Sequence, residues 1–203
     1  MKKENLLHIF SHMPTLETER LVLRPLRVSD TADMFAYAHD PEVTRFLLWR
    51  PHPDPAYTRS YLEYVAGRYR TGTCYEWAVV CRADGRMIGT CGFAAVDCAH
   101  NAGEIGYVIN PAYRGSGYAP EAVERVMRFG FDVMGLHRVQ ARYIVGNEAS
   151  RRVMEKAGMT FEGVLRQSML IKGTYCDIGV CAVLVSEFRR KETTQTGENG
   201  IFL

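Results

Sequence analysis

Residues 110–122 read NPAYRGSGYAPEA: an Asn-Pro turn, an arginine, two glycines one residue apart, and the start of an amphipathic run. The apolar stretch GEIGYVIN precedes it, and Ala122, Val123, Val126, Met127, Val133 and Met134 follow with helical spacing. A strand that enters a glycine turn and leaves as a helix gathers backbone N–H groups at the helix N-terminus, where the helix dipole also favours negative charge. Gly115 and Gly117 lack Cβ, so the backbone can take positive φ and come close to an anion. Arg114 can add a fixed charge beside it, and the small Ala119 lets the helix start near the ligand. Alone, the turn fits a plain loop as well as a phosphate cradle. The Gly-Lys-Ser/Thr ending of a P-loop is absent. A dinucleotide fold is disfavoured too, because Pro120 breaks GxGxxG and most strand-like runs precede the motif.

Working outward, RLVLRPL at 20–26 alternates apolar and basic residues as a half-buried strand does. SDTADMFAYAHD then begins a helix that Ser29 or Asp30 can cap. Residues 40–70 read as two helical pieces broken by RPHPDP, with Asp54 and Pro55 starting the second, whose stripe is Tyr57, Tyr61, Tyr64, Val65 and Tyr69. The period then shortens: CYEWAVVC and RMIGTCGFAAV are strand-like runs joined by Asp84-Gly85, a hairpin signal, and GEIGYVIN adds a third strand. HRVQARYIVG is a strand, and NEASRRVMEKAGM is a helix with Asn147 as cap and Gly158 as stop. FEGVLRQSMLI, KGTY and CDIGVCAVLVS form a closing hairpin. The predicted order is β, α, α, β, β, β, α, β, α, β, β.

With 203 residues, 47% of them hydrophobic, the chain suits one compact domain. The net charge of +2, spread without a basic block, gives no footprint for nucleic acid. Six cysteines without CxxC or Cys/His spacing point to a reduced, cytoplasmic protein with no metal ligands. The opening residues are too short and too broken by His8, Ser11 and His12 for a signal peptide, and no run is long enough for a membrane span. The expected layout is an N-terminal extension over 1–14, one α/β domain over 15–188, and a mobile polar tail over 189–203.

RGSGYA resembles the Arg/Gln-x-x-Gly-x-Gly/Ala signature of the GCN5-related N-acetyltransferases, the GNAT superfamily. Within it the chain is most similar to the ribosomal-protein alanine acetyltransferase (RimJ/RimL-like) group, through LETERLVLRPLRVSD, EIGYVINPAYRGSGYAPEAV, the run from FGFDVMGLH to FEGVLRQ, and KGTYCDIGVCAVL. The resemblance implies a central mixed, mainly antiparallel twisted sheet of about seven strands, flanked by helices and splayed at an acetyl-CoA cleft. It implies acetyl transfer from acetyl-CoA to a primary amine, a protein N-terminus or a small molecule, by direct attack in a ternary complex, with a homodimer left open. Backbone at Tyr107, Val108 and Ile109 is expected to pair with pantetheine, and Arg114, Gly115, Ser116, Gly117, Tyr118 and Ala119 to hold the pyrophosphate. Asn147 is expected on the pantetheine arm, though a plain helix cap accounts for it equally.

Acetyl transfer needs a neutral amine and a proton for the departing thiolate. The resemblance offers Glu104 as base, beside the plain reading of a solvated strand-edge charge. Met154 stands where many relatives place a tyrosine acid. The ribosomal-protein group uses a serine three residues after the Asn, here Ser150, which a first-turn helix serine bonded to backbone explains equally. Met169 stands where the ribosomal-protein group has a glutamate. Tyr175 and Asp177 could approach the acceptor, residues 39–70 with Trp49 and His52 would set its specificity, and Arg151 and Arg152 could reach the CoA 3'-phosphate. Cys176 and Cys181 read as packing residues. Two rivals stand beside this reading: a non-catalytic acyl-CoA-binding sensor and a nucleotide-binding oxidoreductase.

Overall fold

A computed structural model of the chain describes residues 2–190. One sheet has the order β1-β2-β3-β4-β5-β6-β8-β7, formed by β1 (Leu16–Glu17), β2 (Leu21–Arg24), β3 (Glu76–Cys81), β4 (Met87–Asp97), β5 (Ala102–Ile109), β6 (Arg138–Ile144), β7 (Thr160–Ile171) and β8 (Thr174–Leu184). The extra strand relative to the expected seven is β1, two residues long and too short to leave a periodic signal. Every neighbouring pair is antiparallel except β5 with β6, which run parallel.

Among the described residues six α-helices surround the sheet: α1 (Lys3–Ser11), α2 (Thr31–Ala38), α3 (Pro41–Thr44), α4 (Pro55–Arg70), α5 (Tyr118–Asp132) and α6 (Glu148–Lys156). One apolar cluster joins α1, α5 and α6 to one face of the sheet through Phe10, Trp77, Val126, Met127, Val139 and Met154. The second joins α2 and α4 to the other face through Met34, Tyr37, Leu62, Val65, Ala78 and Met87. The cap chemistry works as its residue types dictate: Asp54 Oδ1 accepts from Tyr57 N at 2.7 Å, and Asn147 Oδ1 from Ser150 N at 3.2 Å. Asp30 differs. Its carboxylate accepts from the Arg24 guanidinium at 2.7 and 2.8 Å and from Arg27 N, and it makes no side-chain cap bond to α2.

Within residues 1–14, the expected N-terminal extension, α1 packs into the first cluster. Leu6 and Phe10, one helical turn apart, are both buried, and the Phe10 ring meets those of Tyr75, Trp77 and Phe129. α5 ends at Asp132, so Val133 faces solvent while Met134 stays in the core. The polar tail expected from 189 onward lies, from residue 191, outside the described residues.

Register fixes the feature that matters for function. β5 and β6 pair only over Ala102↔Arg138, Gly103↔Val139, Glu104↔Gln140 and Ile105↔Ala141. Beyond that point β5 continues to Ile109 on β4, and β6 continues to Ile144 on β8. The two strands therefore part at their C-terminal ends, and the edge of β5 from Gly106 to Ile109 is left open toward β6.

Candidate active site

A cleft of about 680 Å³ fills the fork. On the α5/α6 side it is lined by Arg114, Gly115, Gly117, Tyr118, Ala119, Asn147, Ser150, Arg152 and Lys156, and along the open strand edge by Gly106, Tyr107, Val108 and Ile109. Gly115 and Gly117 have φ of +83° and +82°, the left-handed conformation that side-chain-bearing residues avoid. Gly117 is the N-cap of α5, and no side chain caps that helix. Among the described residues, the N–H groups of Gly115, Ser116, Gly117, Tyr118 and Ala119 have no hydrogen-bond acceptor. A run of unpaired N–H groups at a helix N-terminus is an anion receptor in both geometry and dipole.

Of the residues expected in the cradle, Ser116 alone does not line the cleft. Its carbonyl instead accepts from Arg20 Nη1 at 2.9 Å on the outer side of the loop. The Arg114 side chain folds back, Nε donating to the Ile109 carbonyl at 3.2 Å. The two arginines of α6 separate: Arg151 pairs with Glu155 at 2.8 Å and lies over the Phe161 ring, whereas Arg152 turns to the cleft with Lys156.

Ser150 and Tyr107 meet across the fork. The Tyr107 phenol donates to the Ser150 carbonyl at 2.9 Å, and its oxygen lies 2.9 Å from Ser150 Oγ. Burial pushes the Tyr107 phenol above its ordinary range, against the opposing effect of the Ser150 hydrogen bond, so it stays a neutral hydroxyl. Sequence reading gave Tyr107 a backbone role only; its side-chain partner is 43 positions away. Met154 is 1% exposed in the core and cannot offer a proton donor.

Glu104 lines the same cleft from β5. Its Oε2 accepts from Arg142 Nε at 2.8 Å and from Gln140 Nε2 at 3.2 Å, both on β6. Oε1 has no partner among the described residues.

Strand alternation places Glu104 and Val108 of β5, Arg142 and Ile144 of β6, and Ile178 of β8 on the face opposite α5 and α6. Met169 and Ile171 join them across the β7–β8 register. The roof of this second chamber is Glu42, Val43, Arg45, Phe46, Leu47 and Leu48, from α3 and the turn after it. The hairpin tip is tied to that roof, Lys172 Nζ donating to the Thr44 carbonyl at 2.6 Å.

Within the 39–70 segment, only 42–48 touches the cleft. Trp49, Tyr57 and Tyr61 instead pack round the buried His52, whose Nδ1 lies 2.8 Å from Thr58 Oγ1. Burial lowers the His52 imidazole, which favours the neutral ring. Asp177 caps a bulge, its Oδ1 accepting from Gln167 N at 2.8 Å, and Tyr175 is solvent-exposed; neither lines the cleft. Cys181 is buried in the core, where desolvation raises its thiol, and Cys176 lies against the Thr174 carbonyl.

A mixed sheet forked between two parallel strands, with an uncapped glycine turn at the fork, makes a cleft with an anion receptor at one end, as a transferase with a phosphate-bearing donor requires. The chain matches the acetyltransferase (GNAT) domain over residues 20–160, and it belongs to that family. It is 36% identical to the uncharacterized N-acetyltransferase YoaA of Bacillus subtilis, covering 84% of this chain and 97% of the relative. The crystal structure of a GNAT-family acetyltransferase from Bacillus anthracis superposes with a TM-score of 0.75 at 28% identity, covering 84% of this chain and 98% of that one. The fold also matches spermidine N-acetyltransferase from Vibrio cholerae, solved with CoA and spermine, with a TM-score of 0.71, 20% identity, and coverage of 85% and 99%. The protein is thus an acetyl-CoA-dependent N-acetyltransferase. Among the described residues no helix is long and apolar enough to cross a membrane.

Proposed function

We propose that the acceptor is a primary amine on an apolar or neutral body, a protein N-terminal amine or a small monoamine, and not a polyamine. The observation that carries this choice is the charge of the second chamber. Of its two carboxylates, the half-buried Glu104 pairs with Arg142 at 2.8 Å, while the solvent-exposed Glu42 lies 3.9 Å from the likewise exposed Arg45, a loose surface pair. Most other lining residues there are apolar, among them Val43, Phe46, Leu47, Leu48, Met169, Ile171 and Ile178. Lys172, whose ammonium is lowered by burial and then by the nearby Arg50 charge, adds positive charge at the roof. A second ammonium carried into the apolar part of the chamber would find no unmatched carboxylate beside it, and burying it unpaired is costly. Met169 stands at the place of the glutamate in the ribosomal-protein group, so that carboxylate is absent from the chamber, and this departure counts against a straight transfer of the ribosomal-protein substrate.

In the proposed reaction the amine enters from the α3 side and meets the acetyl group at the fork. Glu104 Oε1 takes the ammonium proton, directly or through one water, while Arg142 and Gln140 hold the other oxygen. The free amine attacks the thioester carbonyl carbon, forming the N–C bond as the C–S bond breaks, and the second nitrogen proton passes by way of the Ser150 hydroxyl to the departing sulfur, leaving a neutral amide and the CoA thiol. The Ser150 hydroxyl, held in place by Tyr107 and by the first turn of α6, donates a hydrogen bond to the departing thiolate. Asn147, Gly115 and the other cradle groups hold the donor, with the open edge of β5 pairing along its arm as an added strand would.

Initial rates of CoA release test the acceptor assignment. Leaving a charge or polar group unpaired costs about 1–3 kcal/mol, so peptides with an apolar N-terminal residue, or phenethylamine, are expected to exceed spermidine in kcat/KM by roughly tenfold or more. Spermidine as the best substrate of the panel would contradict the charge argument. Release of no CoA with any amine, by protein that binds acetyl-CoA, would contradict the proposed chemistry.

A further inference from the structure

Arg20 stands immediately before β2 on the outer side of the cradle loop, and it does not line the cleft. Three contacts to two groups lock its guanidinium. Nε donates to Glu121 Oε2 at 2.7 Å, Nη2 lies 2.5 Å from the same oxygen, and Nη1 donates to the Ser116 carbonyl at 2.9 Å. Thr18 Oγ1 and Arg20 N both donate to Glu121 Oε1, at 2.6 and 3.2 Å, so both carboxylate oxygens are engaged. The guanidinium also lies 4.8 Å from the centre of the Tyr118 ring.

The consequence follows from peptide geometry. No peptide bond in the described chain is cis, so the Ser116 C=O and the Gly117 N–H point in opposite directions across one plane. With the carbonyl drawn outward to Arg20, the Gly117 N–H is turned toward the cleft. A Cβ built on Gly117 would approach Arg20 Nη2 at 3.4 Å, which again puts Arg20 behind the loop. Burial favours the neutral form of Glu121, but hydrogen bonds from Thr18 and Arg20 outweigh it and hold the carboxyl below its usual range.

We propose that Arg20, fixed by Glu121 and Thr18, is a positioning residue for the donor: it orients the Ser116–Gly117 peptide so that the Gly117 N–H faces the pyrophosphate. This rests on the reading of the Gly-rich turn as the pyrophosphate cradle. Arg20 itself touches no part of the donor. The strand 20–26, which from its alternation looks like ordinary half-buried sheet, thereby reaches the active site from its far side.

The test compares acetyl-CoA with S-acetylpantetheine, which carries the thioester and lacks the pyrophosphate. For Arg20→Ala the KM for acetyl-CoA is expected to rise by about tenfold or more, the scale of a lost charge-assisted hydrogen bond, with kcat at saturating donor and the acceptor KM unchanged. Turnover of S-acetylpantetheine is expected to match wild type. Arg20→Lys keeps the charge but cannot span Glu121 and the Ser116 carbonyl with a planar fork, so it is expected to share most of the defect. An equal loss with both donors, or full rescue by lysine, overturns the proposal. If Arg20→Ala does not fold, Glu121→Gln is measured in its place and is expected to show the same donor-specific loss. Failure of the underlying cradle is recognised separately, because wild type itself would then use the two donors alike.

Discussion

Gly117→Val is expected to weaken acetyl-CoA binding by roughly thirtyfold to a hundredfold, measured as a Kd by titration calorimetry. At φ +82° a β-branched residue meets its own backbone, at a cost of about 1–2 kcal/mol for any L-residue and more for valine. The added Cβ would also press within 3.4 Å of Arg20 Nη2, the group that fixes the loop from outside. Relief of either strain turns the peptide and withdraws an N–H from the anion. Gly135→Val is the control. Gly135 has φ +66° and nothing within 4 Å of a built Cβ, and it does not line the cleft, so it carries comparable backbone strain away from the donor. It should lose stability and retain affinity. Equal Kd values for wild type and Gly117→Val would remove the cradle from the account.

Glu104→Gln is expected to lower kcat by about a hundredfold while leaving the Kd for acetyl-CoA unchanged, the usual scale for loss of a positioned base. Glutamine keeps the shape and can still accept from Arg142, so the change isolates the proton-accepting function from the packing around it. The pH profile supplies the sign. With the base gone, the rate should climb steadily as alkaline solution deprotonates the amine, and the gap to wild type should narrow as pH rises. An unchanged kcat would transfer the base role elsewhere. An unchanged gap across pH would mean that Glu104 matters only through its ion pair.

What could be read from the sequence was local chemistry. The Asp84-Gly85 turn, the Asp54 and Asn147 caps and the uncapped glycine turn each depend on a few adjacent residues, and each is present where composition and spacing placed it. What could not be read depends on register. Glu104 faces Arg142 and Gln140 only because β5 and β6 pair as they do, and a slip of one residue would turn every one of these side chains to the other face. Ser150 finds the Tyr107 hydroxyl, and Arg20 finds the Ser116 carbonyl 96 positions on, through tertiary packing that leaves no periodic trace. Residues 39–70 are expected to set acceptor specificity, yet no periodicity singles out 42–48 within them, because α3 is four residues long and too short for amphipathic spacing. The tyrosine stripe of α4 does not line the cleft, with Tyr69 buried and Tyr57 and Tyr64 exposed. The hydrophobic pair Leu6 and Phe10 was the available signal that α1 belongs to the core.

The central claim is that the donor lies in the fork, its pyrophosphate on the N–H groups at the start of α5 and its arm along the open edge of β5. Backbone amide chemical shifts followed during an acetyl-CoA titration test this most directly. The account predicts large shifts for Gly115, Gly117, Tyr118 and Ala119, and slowed amide exchange along residues 106–109, at one common Kd. Saturable binding that leaves those amides unmoved would contradict it.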